Sequence, residues 1–320
     1  MTPSPATNLL AVPNVSEGRD RGVIDAIGHA FASAGPVRLL DTHADPDHHR
    51  SVFTLAGAQS ELSAAVLAGT RVAVERIDVM SGAAGPERGA HPHVGALDVA
   101  PIVYLDTSLR GAACAEALVL AHEIGELGVP ILLYGELARG RSRADLRRRG
   151  VSGLAERLQS GELRADFGPS RLHPTAGATL VAAREPLVAF NLELGAPADV
   201  LDARRIAAQI REGGPEGLPG LRAIGIELRS GAATVGSGAA TVVATTTTEG
   251  ATIAQVSTNV ERPLEVPLRA VVEAVAKHAG IARVELVGLV PRAALQDFPA
   301  DIPWRGGDPA ARTIENALGF

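Results

Sequence analysis

The sequence predicts an α+β fold of two ferredoxin-like halves, each a split βαβ unit with an antiparallel or mixed sheet. Three observations carry this. Strand-length apolar runs alternate with longer segments of helical spacing in the first half, and two strands there follow one another directly. The second half repeats that order of elements, with no sequence repeat visible. Finally, 46% of the 320 residues are hydrophobic, enough for two domain cores. Aromatics make up only 3%, so Ala, Val and Leu must fill those cores.

Taken in order, "LLAVPNVS" (9–16) reads as a strand. "RDRGVIDAIGHAFASAG" (19–35) reads as a helix stopped by Gly35. "VRLLDT" (37–42) and "RSVFTLAG" (50–57) are strands on either side of "HADPDHH", and 60–77 is an amphipathic helix. A strand over 94–106, a helix over 108–127, a strand over 130–137 and an Arg-rich helix over 143–161 follow. The second half offers "ATLVAAREPLVAFNLEL", a helix near 198–212, "LRAIGIEL", "IAQVSTNV", a helix over 264–279 and "RVELVGLVP". The halves join near residues 162–177, giving domains 1–170 and 171–300 and a C-terminal tail, 301–320. The tract 229–252 is almost entirely small residues. It has little apolar area to offset ordering entropy, so partial disorder is expected.

Composition narrows the function classes. A net charge of −6 argues against nucleic acid as a partner. The single cysteine, Cys114, excludes a disulfide framework or a cysteine-based zinc cluster, and reads as a small apolar residue of a helix. The N-terminus lacks the basic region and apolar run of a signal peptide. No apolar run is long enough to span a membrane. A cytoplasmic, soluble protein is expected.

Four stretches could carry chemistry. In "GAHPHVGALD" (89–98), His91 and His93 flank Pro92 among small residues. Residues two apart on an extended chain face one side, so both rings can enter one cleft, and imidazole takes and gives protons near neutrality. "DTHADPDHHRS" (41–51) holds His43, Asp45, Asp47, His48, His49 and Arg50. It reads as a solvated turn, a polar wall facing the His91 loop, or, less well, a metal site, since no regular ligand spacing accompanies it. "DFGPSRLHPTAGAT" (166–179) is a Gly/Pro-stiffened loop, or simply a linker. "ARGRSRADLRRRG" (138–150) has six arginines, a solvated helix face or an anion-binding rim.

Together, "VPNVSEGRD", "LLDTHADPDHHRSVFTLAG", "HPHVGALDVAPI", "ILLYGELA", "DFGPSRLHPTAGAT", "LVAFNLEL", "AQVSTN" and "LVGLVP" resemble the glutamate formimidoyltransferases, in order, from about residue 9 to about residue 297. The likeness is to the stand-alone bacterial form; in animals the same region is fused to a cyclodeaminase. The resemblance implies transfer of a formimidoyl group from N-formimidoyl-L-glutamate to N5 of tetrahydrofolate in histidine degradation. It implies two ferredoxin-like subdomains with a substrate groove between them, a homodimer, and no metal. His91 takes the place of the family's catalytic acid/base. Asp166, Phe167, Gly168, Pro169, Ser170, Arg171, Leu172, His173, Pro174 and Thr175 take the place of its folate-binding stretch. His43, Arg50 and His93 are further groove candidates. His93 stands where the family usually has Arg, and Ala90 where it has Glu. These departures keep open a relative using another one-carbon donor such as 5-formyltetrahydrofolate. Two competing readings are a folate-binding protein without turnover and a metallohydrolase built on His43, Asp45, Asp47, His91 and His93.

Overall fold

The structure, a computed structural model, describes residues 9–81, 93–229, 235–236 and 252–320. The chain divides into two compact units between Arg184 and Glu185.

In the first unit, β1 (Leu9–Ala11) and β2 (Asn14–Val15) lead to α1 (Arg21–Ser33) and the hairpin β3 (Arg38–Asp45) and β4 (Arg50–Gly57). Then come α2 (Leu62–Arg76) and β5 (Leu97–Val103). The strands lie in the order β3-β4-β1-β5, each antiparallel to its neighbour. This is the predicted split βαβ arrangement. β2 resumes beyond Pro13 and pairs with both β4 and β5. The chain continues through α3 (Arg110–Gly125), β6 (Ile131–Leu133), α4 (Arg143–Arg147), α5 (Gly150–Gln159) and β7 (Thr179–Arg184). β7 inserts between β5 and β6, parallel to both, so the sheet is mixed.

Side-chain alternation gives this sheet two different faces. Phe53, Leu55, Ala100, Ile102, Val181 and Ala183 pack with α1, α2 and α3. The helices dock closely because of two glycines. A Cβ on Gly69 of α2 would lie 2.2 Å from the Phe31 ring of α1, and one on Gly28 would lie 3.3 Å from Phe53. In a core short of aromatics, this lets one phenylalanine fill the space between two helices. On the opposite face, Val99, Leu132, Leu180 and Ala182 pack with Leu146 of α4 and Leu154 and Leu158 of α5.

The second unit contains β8 (Val188–Leu194), α6 (Val200–Ile210), β9 (Leu221–Arg229), β11 (Thr252–Val260), α7 (Leu268–Ala276) and β12 (Ile281–Val287). Its order, β12-β8-β11-β9, repeats that of β5-β1-β4-β3. The two halves therefore share one topology. Asp199 opens α6 with a capping box, accepting from the Leu201 and Asp202 N–H groups. On the face away from the Phe190 and Val256 core, Glu193 accepts from Arg283 at 2.5 Å and Arg305 at 3.3 Å. β10 (Val235–Gly236) lies in the small-residue tract; the rest of that tract, 230–234 and 237–251, falls outside the described residues.

Several boundaries differ from the sequence reading. The domain division lies at Arg184 rather than 170, because 171–184 contributes β7 to the first sheet. The strand expected over 130–137 stops at Leu133, since Gly135 takes φ +65° and starts a 3₁₀ turn. The Arg-rich helix is two helices, because Arg149 and Gly150 both adopt left-handed φ. Residues 301–320 are not a loose tail. β13 (Trp304–Arg305) pairs with β12, and α8 (Ile314–Leu318) buries Ile314 and Leu318. Trp304 stacks on Phe298, their centroids 4.4 Å apart, and on Phe190, in a small aromatic cluster.

Candidate active site

The register of the first sheet brings five loops to one end of it. β5 and β7 are parallel, with Val99 beside Leu180 and Ile131 beside Thr179, so the segments entering β5, β6 and β7 emerge together. Val15 pairs with both Ser51 and Leu97, which adds the loop after β2 and the β3–β4 turn. The loops are laced to one another. Ser16 donates its N–H to Ala96 and its hydroxyl to the Gly95 carbonyl at 2.7 Å. Ala96 donates to the Ala176 carbonyl, Ala178 to that of Val94, and the Ser51 hydroxyl to that of Glu17. Two glycines make this possible. A Cβ on Gly18 would lie 2.1 Å from the Asp45 carbonyl oxygen, and one on Gly95 would lie 1.8 Å from that of Ala178.

The β3–β4 turn supplies the polar groups. Ala44 points into the helical core, so His43 and Asp45 face the other way. Asp45 is buried and accepts from the backbone N–H groups of Asp47 and His48 and from Nδ1 of the His48 ring at 2.5 Å. Burial pushes the Asp45 carboxyl up, but the His48 hydrogen bonds and charge outweigh it and hold Asp45 far below the usual range. His49 adopts φ +49°, and its Nδ1 accepts from the Gly18 N–H at 3.1 Å. Burial lowers the His49 pKa, Glu17 opposes this, and the charges of Arg19 and His93 add to it. His93 thus lies in the field of His49. Arg50 faces Asp45 across the strands. Burial and the charge of Arg147 push its guanidinium down to about 10, against the pull of Asp45 and Asp98.

The segment after His93 is anchored by Asp98, 1% exposed. One carboxylate oxygen accepts from the Val94 N–H at 2.8 Å, and the other from Arg147 of α4. Five of the six arginines at 139–149 have identifiable contacts: Arg141 with Asp166, Arg147 with Asp98, Arg148 with Glu162, Arg149 with Glu156, and Arg143 over the Tyr134 ring.

The 166–175 stretch borders β6. Asp166 accepts from the Leu133 N–H at 2.8 Å and from Arg141, so its carboxylate fixes the loop. Phe167 lies edge-on to His122. Gly168 has φ +75°, and a Cβ there would meet the Val129 carbonyl at 2.7 Å. His173 pairs by backbone with Gly177, and its Nδ1 accepts from the N–H groups of Thr175 and Ala176. Its proton therefore sits on Nε2. Gly168, Pro169, Arg171, Leu172, His173 and Pro174, together with residues 125–128, line an open pocket of about 660 Å³.

His43, Arg50, His93 and the 166–175 stretch thus come to one end of one sheet. His91 and Ala90 lie outside the described residues. The sequence reading missed Asp98 as an anchor, Arg147 as its partner, and the Asp45–His48 pair. The i, i+4 spacing of Arg143 and Arg147 was a usable signal for a shared helix face. Nothing local pointed to Asp98, 49 residues away. Among the described residues, no three His, Cys, Asp or Glu side chains are grouped to hold a metal ion.

A family model, the formiminotransferase domain N-terminal subdomain, matches residues 8–184. That is more than half the chain, and it ends where the first compact unit ends. This chain belongs to the formiminotransferase family. The chain is 35% identical over 304 residues to the formimidoyltransferase-cyclodeaminase of Gallus gallus, covering 89% of this chain and 50% of that protein. It therefore spans about half the length of the bifunctional relatives it matches. It is 35% identical over 225 residues to the glutamate formimidoyltransferase of Streptococcus pyogenes serotype M1, covering 68% of this chain and 72% of that protein. The Thermoplasma acidophilum protein of the same name is 37% identical over 206 residues, covering 62% and 66%. In formiminotransferase terms, the five-loop end belongs wholly to the N-terminal subdomain.

Proposed function

We propose that this formiminotransferase transfers the formimidoyl group of N-formimidoyl-L-glutamate to N5 of tetrahydrofolate, releasing L-glutamate in histidine degradation. The observation that supports this most is the family match across the whole of the first unit, whose loops bring the motif-bearing residues to one end of the sheet. Tetrahydrofolate is the acceptor substrate, and no metal takes part.

In this reading N5 attacks the amidine carbon, forming the N5–C bond and a tetrahedral adduct. His91 takes the proton from N5 and returns it to the glutamate nitrogen as the C–N bond breaks. One bond forms, one breaks, and the proton is conserved. Acid/base help of this kind is worth about 10²–10⁴-fold. The 166–175 stretch holds the folate, as its Gly/Pro geometry and bordering pocket support. His93, Arg50 and His43 form the polar wall. The protein acts as a cytoplasmic homodimer. Among the described residues, no helix is long and apolar enough to cross a membrane.

The test is purified protein with tetrahydrofolate and formimidoylglutamate, following 5-formimidoyltetrahydrofolate by absorbance and free glutamate by a coupled assay. Stoichiometric appearance of both is expected. A second assay with 5-formyltetrahydrofolate as donor and L-glutamate as acceptor, following tetrahydrofolate and N-formylglutamate, tests the other donor that His93 and Ala90 bring into question.

A further inference from the structure

The open pocket of about 660 Å³ is lined by residues 125–128 as well as by the segment from Gly168 to Pro174, and its size is that of a small-molecule site. Close backbone packing fixes its shape. A Cβ on Gly125 would lie 2.9 Å from the Gly168 nitrogen, so the C-terminal end of α3 sits directly on that segment. Gly128 has φ +79°, and a Cβ there would lie 3.9 Å from Cδ2 of His173. Cδ2 is the ring carbon bonded to Nε2, so that edge of the imidazole lies beside residues 125–128.

Two polar groups of the pocket have opposite hydrogen-bonding character and no partner. Nδ1 of His173 accepts from the Thr175 and Ala176 N–H groups at 3.3 and 3.0 Å, which leaves the ring proton on Nε2. That N–H has no acceptor among the described residues. The other group is Glu126, which is exposed. Its carboxylate has no hydrogen-bond or ion-pair partner among the described residues, although Arg171 lines the same pocket. Its position is electrostatically unfavourable. Glu126 is the C-cap of α3, a helix of 16 residues, and a helix C-terminus carries partial negative charge that disfavours a carboxylate. A local rule broken without a compensating contact is characteristic of functional positions.

We propose that Glu126 is a specificity-determining residue for folate, accepting hydrogen bonds from the 2-amino group and N3–H of the pterin ring, while Nε2–H of His173 donates to the 4-oxygen. The pyrimidine edge of a pterin presents two donors and then an acceptor. A carboxylate matches two parallel N–H groups, and a charge-assisted pair of this kind is strong. Bound N–H donors also relieve the repulsion between Glu126 and the end of α3. The inference rests on the formimidoyl-transfer reading for the identity of the ligand. It adds to that reading a residue outside the 166–175 stretch and a direction for the ring.

The experiment is titration calorimetry of the full chain and of Glu126→Ala with tetrahydrofolate and with 2-desaminotetrahydrofolate, both kept reduced under nitrogen. The analogue lacks only the 2-amino donor. Wild type should bind it about tenfold or more weakly than tetrahydrofolate, because a site built to pair a donor rejects the ligand without it. Glu126→Ala should bind tetrahydrofolate about tenfold or more weakly than wild type and should no longer distinguish the two ligands. A merely structural role would weaken both ligands alike and leave their ratio unchanged. The variant should fold, since it removes an exposed charge of the wrong sign at a helix end; circular dichroism and melting check this. If wild type binds tetrahydrofolate but does not discriminate, or if the variant keeps the full discrimination, the role of Glu126 is overturned and the activity reading stands. If wild type binds neither ligand, the folate reading fails and the proposal falls with it.

Discussion

Glu116 of α3 caps the N-terminus of a different helix: one carboxylate oxygen accepts from the Ser63 N–H at 2.7 Å, the other from the Ser60 N–H at 2.6 Å. Ser63 lies in the first turn of α2, which has no side-chain cap of its own at Glu61. A helix N-terminus leaves several N–H groups without intrahelical partners and carries partial positive charge. A buried glutamate from the neighbouring helix answers both, and ties α2 to α3.

Glu116→Ala should therefore destabilise the protein by about 2–3 kcal/mol, since it strands buried donors as well as removing a charge. Glu116→Gln, which keeps an acceptor oxygen, should lose about half that. Urea unfolding of the three proteins measures the difference. Equal midpoints would mean that water caps α2 just as well.

Gly95 is the tightest point of the loop lacing, because any Cβ there collides with the Ala178 carbonyl. Gly95→Ala must push the His93–Ala96 segment off the 176–178 segment. The expected cost is near the upper end of the about 1–3 kcal/mol typical of overpacking. Activity should fall more than stability does. A variant with unchanged kcat/KM would show that this segment's position is not used.

Acid sensitivity should trace in part to Asp45. Its carboxyl is held below the ordinary aspartate value of about 3.9 in the folded chain. Such a group adds stability that is fully present above that value and is lost as pH falls toward its folded pKa. Asp45→Asn should thus be less stable than wild type at pH 7, and the gap should narrow between about pH 4 and pH 2. Urea midpoints across that range measure it. A constant gap would assign the effect to packing alone.

His91→Ala tests the acid/base assignment. The expected loss in kcat is at least about 10²-fold, with folate affinity, read by calorimetry, kept within a few-fold. Near-normal turnover would move the proton transfer elsewhere, with the His49 and His93 rings the next to test.

Periodicity and turn chemistry made most of the fold legible. α1, with Asp20 at its cap and Ile24, Ile27 and Phe31 on its buried face, follows from spacing alone. The hairpin at 38–57 follows from Asp-Pro-Asp between two apolar runs. The site was legible where chemistry is concentrated in one short motif, as in His43 to Arg50. It was illegible where partners meet across the fold, as with Asp98 and Arg147. The Arg-rich segment looked like one solvated helix because a left-handed break at Arg149–Gly150 leaves no mark on the helical repeat. The last twenty residues looked like a tail because a two-residue strand and a five-residue helix are too short to show a period.

The lacing of five loops also bears on how the chain folds. The Ser16–Gly95 bond joins residues 79 apart in sequence, and the Thr179–Leu97 bond joins residues 82 apart. Contacts of such separation carry a loop-closure cost that local contacts do not. The 173–178 segment runs directly into β7, so it meets the segment carrying His93 as β7 docks beside β5. An early intermediate with only the β3-β4-β1 strip would have helices and a partial sheet but no site. During refolding, return of activity should coincide with the slowest step of the first unit, making turnover a reporter of its completed topology.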